Sequence, residues 1–346
     1  MNEKVLIAMS GGVDSSVAAM LMLQEGHECL GATLKLHGEN DTAVTDARQV
    51  ADTLSIPHYA LDFTSQFQHS VIQPFIESYE RGLTPNPCVM CNKHIKFGEL
   101  LSYARQLGCT LFATGHYAQT RKSGSRWLLE KAADPKKDQS YVLYNLSQEA
   151  LSKIRFPLGT FTKDEVRHLA ADRRLATANK ADSQDICFVP DGDYAAFIES
   201  YTGKRYAPGN IEDENGSVLG RHRGLIRYTL GQRRGLGVAL NAPVYVTAKD
   251  TERNTVTLGP ESALYAKTLT AVDINLIASD AIDKPIKVMV KTRYLQQEKK
   301  ALAVQTGANE LRIEFEEAQR SLTPGQAAVL YDGNTVLGGG IIASVK

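Results

Sequence analysis

Three cysteines and one glycine- and serine-rich turn are the residues of this 346-residue chain whose types and spacing could do chemistry. Cys88 and Cys91 form C-x-x-C within "TPNPCVMCNKHIKFGEL", and Cys187 lies in "DSQDICFVP". The pair has three readings. As half of a zinc site it lacks a second C-x-x-C or a nearby histidine pair. As an inert pair it is structural. As a site of sulfur chemistry it needs a thiolate, and Cys91 immediately precedes a helix expected from Asn92, whose dipole would lower a thiol's pKa. Cys187 would then have to meet Cys91 in space. Cys29 and Cys109 fall in or beside expected strands and read as buried structural thiols.

The turn is "SGGVDSS", Ser10 to Ser16. It follows the apolar run Val5-Leu6-Ile7-Ala8, which reads as a buried strand, and precedes Val17 to Leu23, which reads as a helix. Such a turn aims backbone N–H groups and hydroxyls at one spot, with the positive end of a helix behind it, and that is an anion site. The plainer reading is an ordinary turn capped by Asp14 or Ser10. The pattern is neither G-x-x-x-x-G-K-[ST] nor G-x-G-x-x-G.

The elements that must position these residues alternate over the first 200 or so positions. Lys4 to Met9, Glu28 to Leu36, His58 to Phe63 and Thr110 to Tyr117 are expected strands. Helices are expected near Asp14 to Gly26, Asp41 to Leu54, Phe67 to Arg81 and Asn92 to Leu107. That alternation predicts an α/β fold with a doubly wound parallel sheet, binding ligands beyond the carboxyl ends of its strands. Thr162-Lys163-Asp164-Glu165 reads as a capping box opening a helix towards Leu175. After about Gly203 short alternating runs replace helices: Val244 to Thr247, Thr255 to Leu258, Ile286 to Val290, Leu311 to Phe315 and Ala327 to Tyr331. These predict a small β-rich linking domain and then a β-barrel. The expected boundaries are 1–203, 204–262 and 263–346.

Lysine plus arginine balance aspartate plus glutamate, 39 to 39, so any nucleic-acid surface must be a local patch. No run of about 18 apolar residues suggests a membrane span. Five cysteines in a chain of this size argue against a disulfide scaffold, and the first residues lead straight into a strand. A cytoplasmic monomer is the expectation.

The turn matches the S-G-G-x-D-S-S signature of the PP-loop ATP pyrophosphatases, enzymes that cleave ATP to AMP and pyrophosphate. Together with "TPNPCVMCNKHIKFG", "ATGHY", "KDQSYVLY", "DSQDICF" and "YTLGQRRGLG", in that order, the chain resembles the tRNA-specific 2-thiouridylases of the MnmA type. The likeness thins over the C-terminal part, where Arg293-Tyr294 and Pro324-Gly325-Gln326 still fit.

This resemblance implies replacement of the 2-oxygen of a wobble uridine by sulfur, after adenylation of that oxygen by ATP. It implies that Ala8, Met9, Ser10, Gly11, Gly12, Val13, Asp14 and Ser15 hold ATP with Mg²⁺ offsetting its charge. Leu34 would lie near the adenine, and Gly115 would leave room for the nucleotide. Sulfur would arrive as a persulfide on Cys187, loaded by a cysteine desulfurase system, with Cys91 as nucleophile. Asn86, Pro87 and Cys88 match the segment that touches the target base, and Cys88 replaces an aspartate common in relatives that is a candidate general base. The same replacement opens a rival route, in which Cys88, Cys91 and Cys187 hold a [4Fe–4S] cluster that passes on hydrosulfide.

For tRNA, the resemblance implies contacts from His116, Lys137, Asp138, Gln139, Arg293, Tyr294 and Gln326. Gly220 to Gly237 adds Arg221, Arg223, Arg227, Arg233 and Arg234 with no acidic residue in the run, and reads either as a phosphate-contacting patch or as a solvated face. The target base would have to be flipped out of the anticodon stack. Two other functions stay open: a PP-loop ligase or amidotransferase, which would need neither Cys91 nor Cys187, and a tRNA-binding protein with a dead ATP site.

Overall fold

The computed structural model describes residues 3–38, 41–178, 180, 185–189, 191–238 and 242–346. Its first part is built on a five-stranded parallel sheet in the order His58–Asp62, Glu28–Lys35, Lys4–Ala8, Leu111–Thr114, Ile154–Arg155. Val5, Leu6 and Ile7 are wholly buried, as a strand covered on both faces requires. Leu6 packs with Leu100, Leu101 and Ala104 on one face. Val5 and Ile7 pack with Val17 and Ala18 of the helix Val13–Gln24 on the other. Burial of each such side chain favours the fold by roughly 1.5–3 kcal/mol.

The strand order reverses between Lys4–Ala8 and Leu111–Thr114, and their last residues, Ala8 and Thr114, are direct partners. The turn from Ser10 and the segment from Gly115 therefore leave the sheet side by side, at a topological switch point. The expected strand Thr110 to Tyr117 is shorter than its apolar pattern, which frees Gly115 and His116 from the ladder.

Two expected helices contain wider turns. One runs as Thr64–Phe67, a π-helical turn Gln68–Ile72, and Gln73–Glu80. The other starts at Pro87, passes through a π-helical stretch Cys91–Leu100 and ends at Gln106. The capping box is complete, with Thr162 and Glu165 each bonding the other's backbone at the head of Lys163–Asp172.

A four-stranded sheet follows, ordered Tyr245–Asp250, Thr255–Gly259, Gly209–Glu212, Val218–His222, over a small core of Ile211, Tyr228, Val246, Val256 and Leu258. The strand Tyr265–Leu276 then pairs with Glu310–Arg320 on one side and Thr335–Val345 on the other. These pairings close a six-stranded antiparallel barrel through Lys299–Gly307, Ile286–Lys291 and Ala327–Asp332. The α/β, β-rich linker and β-barrel classes read from the sequence are all present. A hairpin from the first part, Gln119–Ser123 with Arg126–Glu130, joins the barrel sheet through Val336 and Leu129. Ala327, Val329 and Tyr331 of the barrel share one apolar cluster with Tyr141 and Leu143, so barrel and α/β part are packed through a common core.

Candidate active site

The Ser10–Ser16 turn is an uncapped helix start. Gly12 stands at the N-cap of Val13–Gln24 with no side-chain acceptor, so the capped-turn reading does not hold and the first N–H groups stay open to an anion. Ser15 and Ser16 donate their hydroxyls to the Gly12 carbonyl, at 3.1 and 2.9 Å, and the Ser10 N–H donates to Ser15 Oγ. Gly11 has φ +71°, and a Cβ there would lie 2.6 Å from the Ala43 carbonyl oxygen. Met9 and Val13 are buried, so they offer the loop only backbone, while Leu34 is half-buried against the apolar cluster that contains Cys91.

Gly115 was expected to spare room for the nucleotide. A Cβ there would meet the loop itself, 2.7 Å from Ser15 N and 2.8 Å from the Asp14 carbonyl carbon. Asp14 accepts from Lys163 Nζ at 2.7 and 2.8 Å and from the Tyr117 hydroxyl at 2.8 Å. Lys163 is 9% exposed, and its backbone N–H is held by Asp134. Lys180 Nζ bonds the Gly11 carbonyl and Asp46. An open helix start flanked by two ammonium groups fits a polyphosphate, and the Asp14 carboxylate supplies the hard oxygen that Mg²⁺ takes beside phosphates. The sequence pattern did not mark Lys163, Lys180, Tyr117 or Asp134 for this site.

The thiols lie on the other side of the same strand end. Asn86 is the N-cap of their helix, accepting the Cys88 N–H at 3.1 Å, with Pro87 in the first turn. Cys88, not Cys91, therefore stands at the helix start, and the expected dipole-lowered thiolate at Cys91 is not found. Cys91 is buried and packs with Ile95 and Phe188. Burial pushes its thiol up to about 12. Phe188 seats among Phe67, Phe75 and Phe197, with ring centroids 5.2–5.6 Å away, and so anchors the adjacent Cys187. Cys187 and Cys88 keep an open side but are also pushed up by burial. Cys187 and Cys88 add to the cost of ionising Cys91, Cys88 adds to that of Cys187, and Lys96 pulls all three thiols down. One ammonium group thus acts on three sulfurs. Cys29 and Cys109 are buried elsewhere, Cys29 at about 11.

Lys96 reaches this position through the π-helical stretch. Residue i+5 of an α-helix points about 140° from residue i. In a π-helix, bonded i to i+5, it returns to nearly the same face. Cys91 and Lys96 are such a pair. Lys96 Nζ lies 3.3 Å from His116 Nε2, and His116 Nδ1 lies 2.8 Å from Thr114 Oγ1. The network assigns the proton to Nδ1, so that Nε2 accepts from Lys96. Burial, then Lys96, hold His116 well below its ordinary pKa, so its ring is neutral.

Residues 3–191 match the tRNA methyl transferase HUP domain family, 195–260 its PRC-barrel domain family, and 266–342 the aminomethyltransferase beta-barrel domain family. The tRNA-specific 2-thiouridylase MnmA of Clostridioides difficile (strain 630) is 46% identical over 99% of this chain and 98% of its own. That of Geotalea uraniireducens is 48% identical over 98% and 95%. The chain belongs to the MnmA family of tRNA-specific 2-thiouridylases.

In this MnmA-family chain the remaining expected residues divide by environment. Among the described residues no three His, Cys, Asp or Glu side chains converge as a metal-ligand set, so Cys88, Cys91 and Cys187 do not fit a [4Fe–4S] cluster in this conformation. Asp138 is turned inward, accepting from Ala132 N, Ser140 N and Ser140 Oγ. Gln139 Oε1 accepts the Tyr117 N–H, and Lys137 is half-buried beside them. Tyr294 stands next to Tyr141, and its hydroxyl is pushed up to about 12 by burial, Asp138 and Cys88. A barrel residue therefore borders the thiol recess. Arg293 donates to Ser321 O and Thr323 Oγ1, and Gln326 Nε2 to Thr84 O. Of the arginine run, Arg221, Arg223, Arg233 and Arg234 are exposed. Arg227 is not unopposed: it pairs with Glu199 at 2.7 Å. Asp182, Ser183 and Gln184 of "DSQDICF" lie outside the described residues.

Proposed function

We propose that this chain thiolates the wobble uridine of tRNA at C2, using ATP at the Ser10–Ser16 turn and sulfur carried by Cys187 and Cys91. The observation that carries this reading is the shared strand end. Gly115 lies against Ser15 of the anion turn, and His116, the next residue, bonds Lys96, which acts on the three thiols. A base held there lies between nucleotide and sulfur.

The uracil O2 attacks the α-phosphorus of ATP, and pyrophosphate leaves. Lys163 and Lys180 offset the polyphosphate charge, and the helix start binds its oxygens. Asp14, exchanging Lys163 for a cation, would hold Mg²⁺ beside the phosphates, and the ion would supply further charge neutralisation. A sulfur-donor protein loads Cys187, which keeps an open side, with a persulfide. Its outer sulfur attacks C2, and AMP leaves with the former O2. Cys91, giving up its proton against the Lys96 charge, then attacks Cys187 Sγ, which releases the 2-thiouridine and leaves a Cys91–Cys187 disulfide; a dithiol reductant restores both thiols. In the other order, Cys91 first releases hydrosulfide from the persulfide, forming the same disulfide, and hydrosulfide attacks C2. Cys88, pushed up by burial, is protonated at neutral pH and is not suited to be the general base.

The test is a reaction of ATP, a tRNA transcript with a wobble uridine and a cysteine desulfurase with cysteine. It should yield 2-thiouridine and tRNA-dependent pyrophosphate. Cys91→Ser should abolish the thionucleoside while pyrophosphate still forms. Undiminished 2-thiouridine with Cys91→Ser would remove Cys91 from the relay, and pyrophosphate without any 2-thiouridine from the wild type would point to the ligase or amidotransferase reading instead.

A further inference from the structure

The segment that leads into the thiol helix is held by the barrel. Gln326 Nε2 donates to the Thr84 carbonyl at 2.7 Å, and the Thr84 N–H donates to the Pro324 carbonyl at 3.0 Å. Thr84 is thus bonded by the barrel loop at both backbone groups, as a strand residue is by a neighbour. Gly325 lies so close that a Cβ would come within 2.9–3.0 Å of Thr84 N, C and O. The loop is in turn braced: Arg293 Nη2 donates to Ser321 O and Thr323 Oγ1, Gln326 N donates to the Thr323 carbonyl within the loop, and the Gln326 carbonyl accepts from Ile342 N of the barrel strand Thr335–Val345. Two residues after Thr84 comes Asn86, which caps the helix bearing Cys88 and Cys91.

We propose that Gln326 is a positioning residue for sulfur transfer: through Thr84 it fixes the start of the thiol helix in the place that presents Cys88 and Cys91 to the base. The proposal rests on the function proposed above for these thiols. It ties the barrel mechanically to the sulfur site. The side chain acts through Thr84 and Asn86, and touches no reacting atom.

The test uses the full chain with Gln326→Met, which keeps the bulk and removes the donor, and Gln326→Glu, which puts a carboxylate against the Thr84 carbonyl. Hydrogen exchange of free protein should quicken about fivefold in peptides spanning 83–91, with the barrel strands 269–276 and 286–291 unchanged. Cys88 alkylation by iodoacetamide should change rate in the same variants. With tRNA, turnover at saturation should fall about tenfold while the tRNA dissociation constant stays within about twofold. Unchanged exchange over 83–91, or an increase shared equally by the barrel strands, would overturn the proposal. So would a loss of tRNA affinity with turnover intact, which would make Gln326 an RNA contact only. The exchange and alkylation measurements need neither ATP nor tRNA, so they remain informative if thiolation itself is not found.

Discussion

Lys96 Nζ stands 3.3 Å from Nε2 of His116, and this pair joins the side of the Ser10–Ser16 turn to the side of the three cysteines. His116 is fixed by Thr114 at the end of the strand Leu111–Thr114, and Lys96 stands on the π-helical stretch that begins at Cys91. A buried thiolate needs a counter-charge, because burial disfavours the ionised form. Lys96 is the cation that acts on all three thiols.

Lys96→Met should therefore shift alkylation of Cys88, Cys91 and Cys187 to higher pH. At pH 8.5, iodoacetamide labelling followed by peptide mass mapping should slow several-fold. Lys96→Arg should recover most of the rate. Labelling curves that superimpose for wild type and Lys96→Met would remove Lys96 from this role.

His116 gives the opposite end of the pH range. Its folded pKa lies well below its unfolded value of about 6.5. Above pH 6.5 both states are neutral and the fold is at full strength. Below it the unfolded chain takes up a proton that the folded chain refuses, so stability falls as pH drops, by up to about 1.4 kcal/mol per pH unit until the folded pKa is reached. Urea unfolding between pH 7 and 5 should show this slope, and His116→Gln should flatten it. An equal slope in the variant would assign the acid sensitivity to other groups.

Much of this could be read from sequence, and what could not has physical reasons. The run Val5-Leu6-Ile7 announced a strand covered on both faces, and the alternation around it announced the sheet. Thr162 and Glu165 announced a helix start that is there in full. That same box hid the role of Lys163, because its partner Asp14 is 149 positions away and no local pattern records such a pair. Asn86-Pro87 is a helix-start signal, an N-cap followed by proline in the first turn, and reading it so would have moved the thiol helix back to Cys88. The π-helical turns leave no periodic mark, since apolar patterns are read at 3.6 residues per turn, and Lys96 was missed with them. The hairpin Gln119–Glu130 was missed because its partner strand comes some 200 residues later in the chain.

Gly115→Ala should separate space for the nucleotide from space for the loop. The added methyl would meet Ser15 N and the Asp14 carbonyl carbon, which are backbone and cannot rotate away. Overpacking of this kind costs about 1–3 kcal/mol. A lower melting temperature without ATP is expected, together with at least tenfold loss of tRNA-dependent pyrophosphate release. Unchanged stability with lost ATP use would return the crowding to the nucleotide.

The arginine run should divide by partner. Arg233 and Arg234 are exposed on glycine-rich chain, so Arg233→Ala and Arg234→Ala should weaken tRNA binding in filter assays from 50 to 200 mM salt. Each lost phosphate contact should lower the slope of log affinity against log salt by about 0.7–0.9. Arg227 already pairs with Glu199 and approaches Asp193 at 4.0 Å, so its charge is spent on the helix Tyr194–Thr202. Arg227→Ala should lower stability by about 1 kcal/mol and leave the salt slope as it was. A slope that falls with Arg227→Ala and not with Arg233→Ala or Arg234→Ala would put the phosphate contact at Arg227 and not on the glycine-rich chain.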